Sequence, residues 1–105
     1  MKSSESKTYE DALAEDLRDP AFRREWNRTA LARAVATRLV QYRAENNLSQ
    51  SALARVLEMR QPAIARLEAA EHNPSIDTLM RLSLKLGVTF HIEITPESVD
   101  LDLIA

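Results

Sequence analysis

A chain of 105 residues, 45% of them hydrophobic, is long enough for one domain with a modest core. It has no cysteine, which excludes disulfides and thiol chemistry and fits a reducing compartment, and no apolar run approaches the length that spans a membrane. The polar N-terminus, residues 1–7, lacks the pattern of a signal peptide, so the expected location is cytoplasmic.

The net charge of −2 conceals an uneven distribution along the chain. Residues 1–25 hold five basic and seven acidic side chains, residues 26–66 hold seven arginines and two glutamates, and residues 67–105 hold two basic and seven acidic side chains. A basic block of this kind is either an ordinary solvated face or a surface for a polyanion. The block coincides with the motif described below, which favours the second interpretation.

A first short helix is predicted near the N-terminus. Thr8 is a suitable N-cap because its hydroxyl can accept a hydrogen bond from a backbone N–H of the first turn, and Asp11 completes a capping-box pattern. Tyr9, Leu13 and Leu17 then lie on one face of this helix.

A second, long helix is predicted from Pro20 to Glu45. Asp19 can cap it, and proline is favourable in a first helical turn. Asn46 and Asn47 end the helix, because asparagine tolerates the left-handed conformation of a C-terminal cap. Apolar residues recur along its length: Phe22, Trp26, Leu31, Val35, Leu39 and Tyr42.

Residues 49–68, S-Q-S-A-L-A-R-V-L-E-M-R-Q-P-A-I-A-R-L-E, have the pattern of two short helices joined by a tight turn. Ser49 is a suitable N-cap for the first helix, and Pro62 fits the first turn of the second. The apolar positions have helical spacing: Leu53, Ala54 and Leu57 in the first helix, Ile64 and Leu67 in the second. The outward face of the second helix carries Arg60, Gln61, Ala63 and Arg66. Because Arg and Gln have the forked geometry that matches guanine and adenine edges in a major groove, the pattern predicts a helix-turn-helix.

The C-terminal third predicts one more helix and a strand. Ser75 caps the helix and Gly87 closes it. Its apolar residues cover much of the circumference, as expected for a buried helix: Ile76, Leu79, Leu82, Leu84 and Leu86. The segment Val88–Thr95 alternates apolar and polar residues, which predicts a strand. A weaker alternation follows at 99–103, after a turn at Pro96.

A strand needs a partner, because its backbone donors and acceptors must be paired when buried. We therefore expect pairing across a two-fold axis, with four apolar residues as candidate dimerisation residues: Val88, Phe90, Ile92 and Ile94. The alternative is a hairpin within the chain, lying on the last helix.

The chain resembles the Xre/Cro-like family of repressors, whose pattern is roughly L-[ST]-Q-x-x-L-A-x-x-x-G-[VI]-[ST]-Q-x-x-[IV]-S-x-[LIW]-E. The matching positions are Leu48, Ser49, Gln50, Leu53, Ala54, Met59, Gln61, Ile64, Leu67 and Glu68, followed by Asn73-Pro74-Ser75, Leu79, Leu82 and Leu86-Gly87-Val88. Two positions depart from the pattern. Glu58 replaces the usual turn glycine, so a non-glycine residue is expected at positive φ, at a cost of about 1 kcal/mol. Arg60 replaces the usual Ser or Thr cap.

The resemblance implies a set of residues that contact operator DNA. Gln61, Pro62 and Arg66 occupy base-facing positions and Ala63 faces the groove. Gln50 is expected to contact phosphate and to support Gln61. The remaining candidates for backbone or base contacts are Ser49, Ser51, Arg55 and Arg60. Two alternatives stay open: Arg66 could instead form an ion pair with Glu68 or Glu71, and Gln61 could be an idle surface residue.

The segment before the helix-turn-helix resembles the N-terminal module of HigA-type antitoxins, where L-x-D-P-x-F-x-x-x-[YW] occurs; here it is Leu17 to Trp26. The resemblance implies binding of a RelE/HigB-like ribonuclease toxin through an acidic, apolar-striped surface, with anchors at Tyr9, Leu13, Leu17, Phe22 and Trp26. In the alternative, Phe22 and Trp26 complete the domain's own core. The acidic tail at 97–102 is a second candidate toxin contact.

Together these patterns predict a mainly α protein: a five-helix Cro/lambda-repressor-like helix-turn-helix domain (31–87), an N-terminal helical extension (1–30) for toxin binding, and a C-terminal strand and acidic tail (88–105) that could form a dimer sheet. The expected function is a toxin-neutralising antitoxin that represses its own operon, binding palindromic double-stranded DNA as a homodimer. The alternative is a stand-alone Xre repressor. No cofactor, metal or enzymatic activity is expected, because His72 and His91 are isolated and there is no metal-spaced cluster or Gly-rich phosphate loop.

Overall fold

The computed structural model describes residues 8–96 and 99–104. Within these residues, helices precede a small antiparallel sheet: α1 (Tyr9–Asp16), α2 (Pro20–Arg28), α3 (Ala30–Asn46), α4 (Gln50–Leu57), α5 (Gln61–Glu68), α6 (Ile76–Leu86), β1 (Thr89–Ile94) and β2 (Val99–Ile104). The mainly helical architecture confirms the predicted Cro-like fold class. Within the described range, no helix is both long enough and apolar enough to cross a bilayer.

Side-chain caps fix most helix starts, as the sequence predicts. Thr8 accepts a hydrogen bond from the Asp11 backbone N–H at 3.0 Å, and Asp19 accepts one from Ala21 at 3.0 Å. Ser75 caps α6 in the same way. Because each cap accepts a hydrogen bond from a backbone N–H two or three residues further along the chain, the local sequence determines where these helices begin.

The prediction of one long helix from Pro20 to Glu45 is wrong, because the helix is interrupted at Thr29, between α2 and α3. The break has a cause far along the sequence. The Asn73 side-chain amide lies between two backbone groups that would bond each other in a continuous helix: its Oδ1 accepts from the Ala32 N–H at 3.0 Å, and its Nδ2 donates to the Arg28 carbonyl at 2.8 Å. The Thr29 hydroxyl donates to the carbonyls of Glu25 and Trp26 and so satisfies the end of α2.

The core lies where α3, α4, α5 and α6 meet. Its largest fully buried side chains are Val35, Leu39, Leu53, Leu57, Ile64 and Leu82. Neither α1 nor α2 contributes a buried residue. The helix-turn-helix is therefore held by the body of the domain, while the two N-terminal helices lie on its outside.

α6 is buried over less of its circumference than the sequence predicts. Leu79 and Leu82 are buried, but Ile76 and Leu84 are exposed, as is Met80. α6 therefore has one apolar face against the core and a second apolar face towards solvent. The helix ends at Gly87, whose φ of 71° is the left-handed cap predicted there.

β1 pairs with β2 inside the chain, in the register Ile92 with Leu101 and Ile94 with Val99. This is the intrachain hairpin that the sequence left as the alternative, but it contacts α2 and α3 through β2 as well as the last helix through β1. Val88 is buried, and Phe90 and Ile92 pack against the core, whereas Ile94 is exposed. The backbone of β1 thus has a partner without a second copy, which removes the reason for assigning dimerisation to this strand. Its role in a dimer stays a prediction.

Candidate nucleic-acid interface

The turn between α4 and α5 has the geometry of a tight helix-turn-helix. Glu58 adopts φ 56° and ψ 45°, the left-handed conformation predicted for it. The Met59 N–H donates to the Ala54 carbonyl at 2.9 Å, which closes the end of α4, and the Met59 side chain packs against the core. The axes of the two helices are fixed relative to each other by these local bonds and by the core beneath them.

α6 clamps this turn from one side. The Arg81 guanidinium donates to the carbonyls of Leu57 at 3.3 Å and Glu58 at 3.2 Å. Lys85 Nζ donates to Glu58 Oε2 at 2.9 Å, and this bond holds the pKa of the Glu58 carboxyl below its usual value. These contacts join residues 23 to 27 positions apart in the chain. They hold a glutamate at positive φ, where the Xre/Cro-like pattern has glycine.

The N-termini of the two helices differ in how they are capped. The Ser49 hydroxyl accepts from the Ala52 N–H at 3.0 Å at the start of α4, as predicted. Arg60 precedes α5 with extended backbone and no side-chain cap, and Pro62 lies in the first turn. Pro62 has no N–H to offer, and the Ala63 N–H donates to the Arg60 backbone carbonyl at 2.9 Å instead of to a capping side chain.

A chain of polar contacts runs from the body of the domain to the tip of α5. Arg43 donates to both oxygens of Glu68, at 2.7 Å from Nε and 2.8 Å from Nη2. Gln50 Nε2 donates to Glu68 Oε1 at 2.9 Å, and Gln61 Nε2 donates to Gln50 Oε1 at 2.8 Å. We call these four residues the Arg43–Gln61 relay.

The relay leaves Gln61 with the two groups that adenine recognition requires. One N–H of its amide is committed to Gln50, while among the described residues the second N–H and the Oε1 acceptor have no partner, at an exposed position. Glutamine recognises adenine through such a donor–acceptor pair, directed at N7 and N6. The predicted support of Gln61 by Gln50 therefore exists as a hydrogen bond.

The Glu68 side chain, only 7% exposed, is the centre of the relay. The hydrogen bonds from Arg43 are the largest cause that holds the pKa of Glu68 below its usual value, and burial opposes them. Glu68 also raises the pKa of Arg43. Because this carboxylate is occupied by Arg43, it is not the partner that the sequence allowed for Arg66.

The basic block divides into engaged and available arginines. Arg28 pairs with Glu25, Arg38 with Glu45 at 3.7 Å and Arg43 with Glu68, and Arg33 lies over the Trp26 ring. The other three belong to the helix-turn-helix, and within residues 8–96 and 99–104 their exposed side chains make no hydrogen bond or ion pair: Arg55, Arg60 and Arg66. The electrostatic surface predicted from the block is thus concentrated on α4, the turn and α5.

The other predicted DNA-contact residues lie on the same two helices. Ser49, Ser51 and Pro62 are exposed, and Gln50 and Ala63 are half-buried. The small side chains of Ser49, Ser51 and Ala63 allow a close approach of the backbone. Sequence reasoning missed Arg43 and Arg81 as supports, because each acts on a residue more than twenty positions away.

The predicted toxin anchors fall into two groups. Phe22 and Trp26 are half-buried and stack on each other with ring centroids 6.1 Å apart, and the Arg33 guanidinium lies 3.3 Å from the centroid of the Trp26 ring. Burial lowers the pKa of Arg33 there. These contacts favour the alternative in which the two aromatic residues serve the chain's own packing. On α1, Tyr9 is exposed and Leu13 is half-buried.

Comparison with known proteins agrees with this geometry. The helix-turn-helix family profile matches residues 39–92, slightly more than half of the chain, and the chain belongs to that family with an Xre-type domain. A Haemophilus influenzae protein described as an uncharacterized HTH-type transcriptional regulator is 36% identical over 59 residues. The match covers 56% of this chain and 60% of that protein's length. No solved structure matches the chain.

Proposed function

We propose that this protein is a transcriptional regulator that binds double-stranded DNA by inserting α5 into a major groove. The observation that carries the proposal is the exposed tip of α5, where the Arg43–Gln61 relay orients an amide beside available arginines. A donor–acceptor pair and a guanidinium on the exposed side of α5 match base edges. The related Haemophilus influenzae regulator supports the same class.

The regulator would act as a homodimer on a palindromic operator. In dimeric helix-turn-helix proteins, two recognition helices enter successive major grooves about 34 Å apart, and the two-fold axis of the protein coincides with that of the DNA site. Arg55 and Arg60 would lie towards phosphates, and Gln61 and Arg66 towards bases.

The test is DNA binding by the full chain to a site selected from the region upstream of its own gene. We expect Arg66→Ala to relax base preference and to weaken binding by roughly 1–3 kcal/mol. As the control, Arg55→Ala should weaken operator and random DNA equally and reduce the slope of log K against log salt by about one. Equal loss on operator and random DNA for Arg66→Ala would refute base reading by this residue.

We further propose that the regulator is an antitoxin that neutralises a RelE/HigB-like ribonuclease. Support comes from α1, which carries four carboxylates and no basic residue in eight positions and buries none of its own side chains. A ribonuclease needs a basic surface to hold RNA phosphates, so an acidic helix with Leu13 and an exposed Tyr9 is complementary to it. The stand-alone repressor remains the alternative.

The two functions differ in what the N-terminal helix contributes. With the toxin from the neighbouring gene in an mRNA-cleavage assay, the full chain should block cleavage, and Glu10→Lys combined with Asp16→Lys should abolish the block. Glu71→Lys with Glu93→Lys, which reverses two exposed carboxylates elsewhere, is the matched control. If the unmodified chain leaves cleavage unchanged, or if no small basic reading frame neighbours the gene, the stand-alone repressor is favoured.

A further inference from the structure

The outer face of α6 is an apolar stripe. Ile76, Met80 and Leu84 recur every fourth residue and are 67%, 64% and 80% exposed. The opposite face of the same helix is buried through Leu79 and Leu82. A helix with apolar residues on two faces is expected to be covered on both, and the domain itself covers one.

We propose that a second copy of this chain covers the stripe, with the two α6 helices packed antiparallel across a two-fold axis at Met80. The spacing of the stripe carries this assignment, because it is symmetric about its central residue. Reversing the helix direction places Ile76 against Leu84 of the second copy and Met80 against Met80. A two-fold interface requires such a self-complementary patch.

The charges beside the stripe have the same complementarity. Asp77, Arg81 and Lys85 each follow a residue of the stripe and therefore line one side of it. In the antiparallel arrangement Asp77 of one copy lies opposite Lys85 of the other. Arg81 near the axis is directed to the carbonyls of the turn after α4, which keeps the two guanidinium groups apart. The Lys85 ammonium has three donors, so it can bond Glu58 in its own chain and Asp77 in the other.

These charges also argue against other occupants. Asp77 and Glu58 border the stripe and disfavour an anionic membrane or nucleic acid, whereas Arg81 and Lys85 disfavour the basic surface of a ribonuclease. A surface that carries both signs beside a symmetric apolar stripe is most complementary to itself.

The inference deepens the proposed function, since a regulator that reads a palindrome needs paired copies, but the two can fail separately. A dimer that ignores DNA would overturn the function and leave the surface standing. A monomer that binds DNA would overturn the surface alone.

The first test is sedimentation equilibrium of the full chain over a range of concentrations. The unmodified chain should form a dimer of twice 11.9 kDa. Met80→Glu, which places two carboxylates at the axis, should weaken association roughly a hundredfold or more. Ile94→Glu, at an equally exposed position on β1, tests the competing dimer surface predicted from the sequence and should leave the dimer unchanged. A strictly monomeric chain, or a dimer broken by Ile94→Glu but not by Met80→Glu, would overturn the proposal.

A second test addresses the antiparallel register. Asp77→Lys and Lys85→Glu should each weaken self-association, because residue 77 of each copy then has the same charge as residue 85 opposite it, in both of the symmetric pairs. An equimolar mixture of the two variants should recover association, since each lysine of one chain then meets a carboxylate of the other. Circular dichroism of each variant confirms that it is folded, as expected for substitutions at exposed positions. Two folded, weakened variants that fail to recover on mixing would exclude this register.

Discussion

α1 and α4 are both eight residues long and both begin with a hydroxyl cap, yet they are held in different ways. α4 buries Leu53, Ala54 and Leu57, while α1 buries no residue. Isolated helices of this length are marginal in water, so most helical stability must come from packing. The helix-turn-helix region is therefore stabilised by a buried core, whereas α1 is stabilised mainly by its cap and its first-turn carboxylates.

The largest expected effect comes from truncating one leucine in each region. Leu57→Ala should lower the free energy of unfolding by roughly 2–5 kcal/mol, because Leu57 is fully buried and its loss leaves a cavity. Leu13→Ala, at a half-buried position of the otherwise exposed helix α1, should cost less than about 1 kcal/mol. Urea unfolding followed by circular dichroism measures both. Similar losses at the two positions would mean that α1 belongs to the same cooperative core.

The next effect concerns the relay inside the helix-turn-helix region. Glu68→Ala removes the acceptor for Arg43 and Gln50 and should lower the free energy of unfolding by about 1.5–3 kcal/mol. It should also weaken operator binding, since Gln50 and hence Gln61 lose their support. Glu45→Ala, whose carboxylate is exposed and 3.7 Å from Arg38, is the control and should change stability by less than about 0.5 kcal/mol. Equal effects would remove the structural role assigned to the relay.

The same carboxylate predicts a pH dependence. Because the pKa of folded Glu68 is held below the ordinary value of 4.5, its stabilising contribution is present above that value and is lost as pH falls through the lowered pKa. The difference in unfolding free energy between the unmodified chain and Glu68→Gln should therefore be constant near neutral pH and shrink in acid. Glu25 and Glu58 also have lowered pKa values, but they titrate in both proteins and cancel in the difference. A difference that does not shrink below pH 4.5 would contradict the assignment.

Local sequence predicted the features that depend on neighbouring residues. The caps at Thr8, Asp19, Ser49 and Ser75 each accept a hydrogen bond from two or three residues away. The left-handed residues at the ends of α3, α4 and α6 also follow from local rules or from the family pattern. These are the features that a single helical turn determines.

The features that the sequence did not predict depend on residues far apart. The break between α2 and α3 depends on Asn73, more than forty residues downstream, and no periodicity within α3 could show it. Arg43 and Glu68 are 25 residues apart, and the sequence offered only the nearby Arg66 as an alternative ion-pair partner for Glu68. The outward stripe of α6 was also hidden, because apolar composition does not tell which face the domain covers.

The smallest expected effect tests whether the better-packed region is free of backbone strain. Ala70 follows α5 with φ 55°, and Glu58 has nearly the same conformation. Ala70→Gly should raise the free energy of unfolding by roughly 0.5–1 kcal/mol, because glycine adopts this conformation without the Cβ clash. Glu58→Gly relieves the same clash but loses the bond to Lys85, so its gain in free energy of unfolding should be smaller. The melting temperatures of the two variants measure this difference. A larger gain for Glu58→Gly would mean that the clamp from α6 does not offset the strain of the turn.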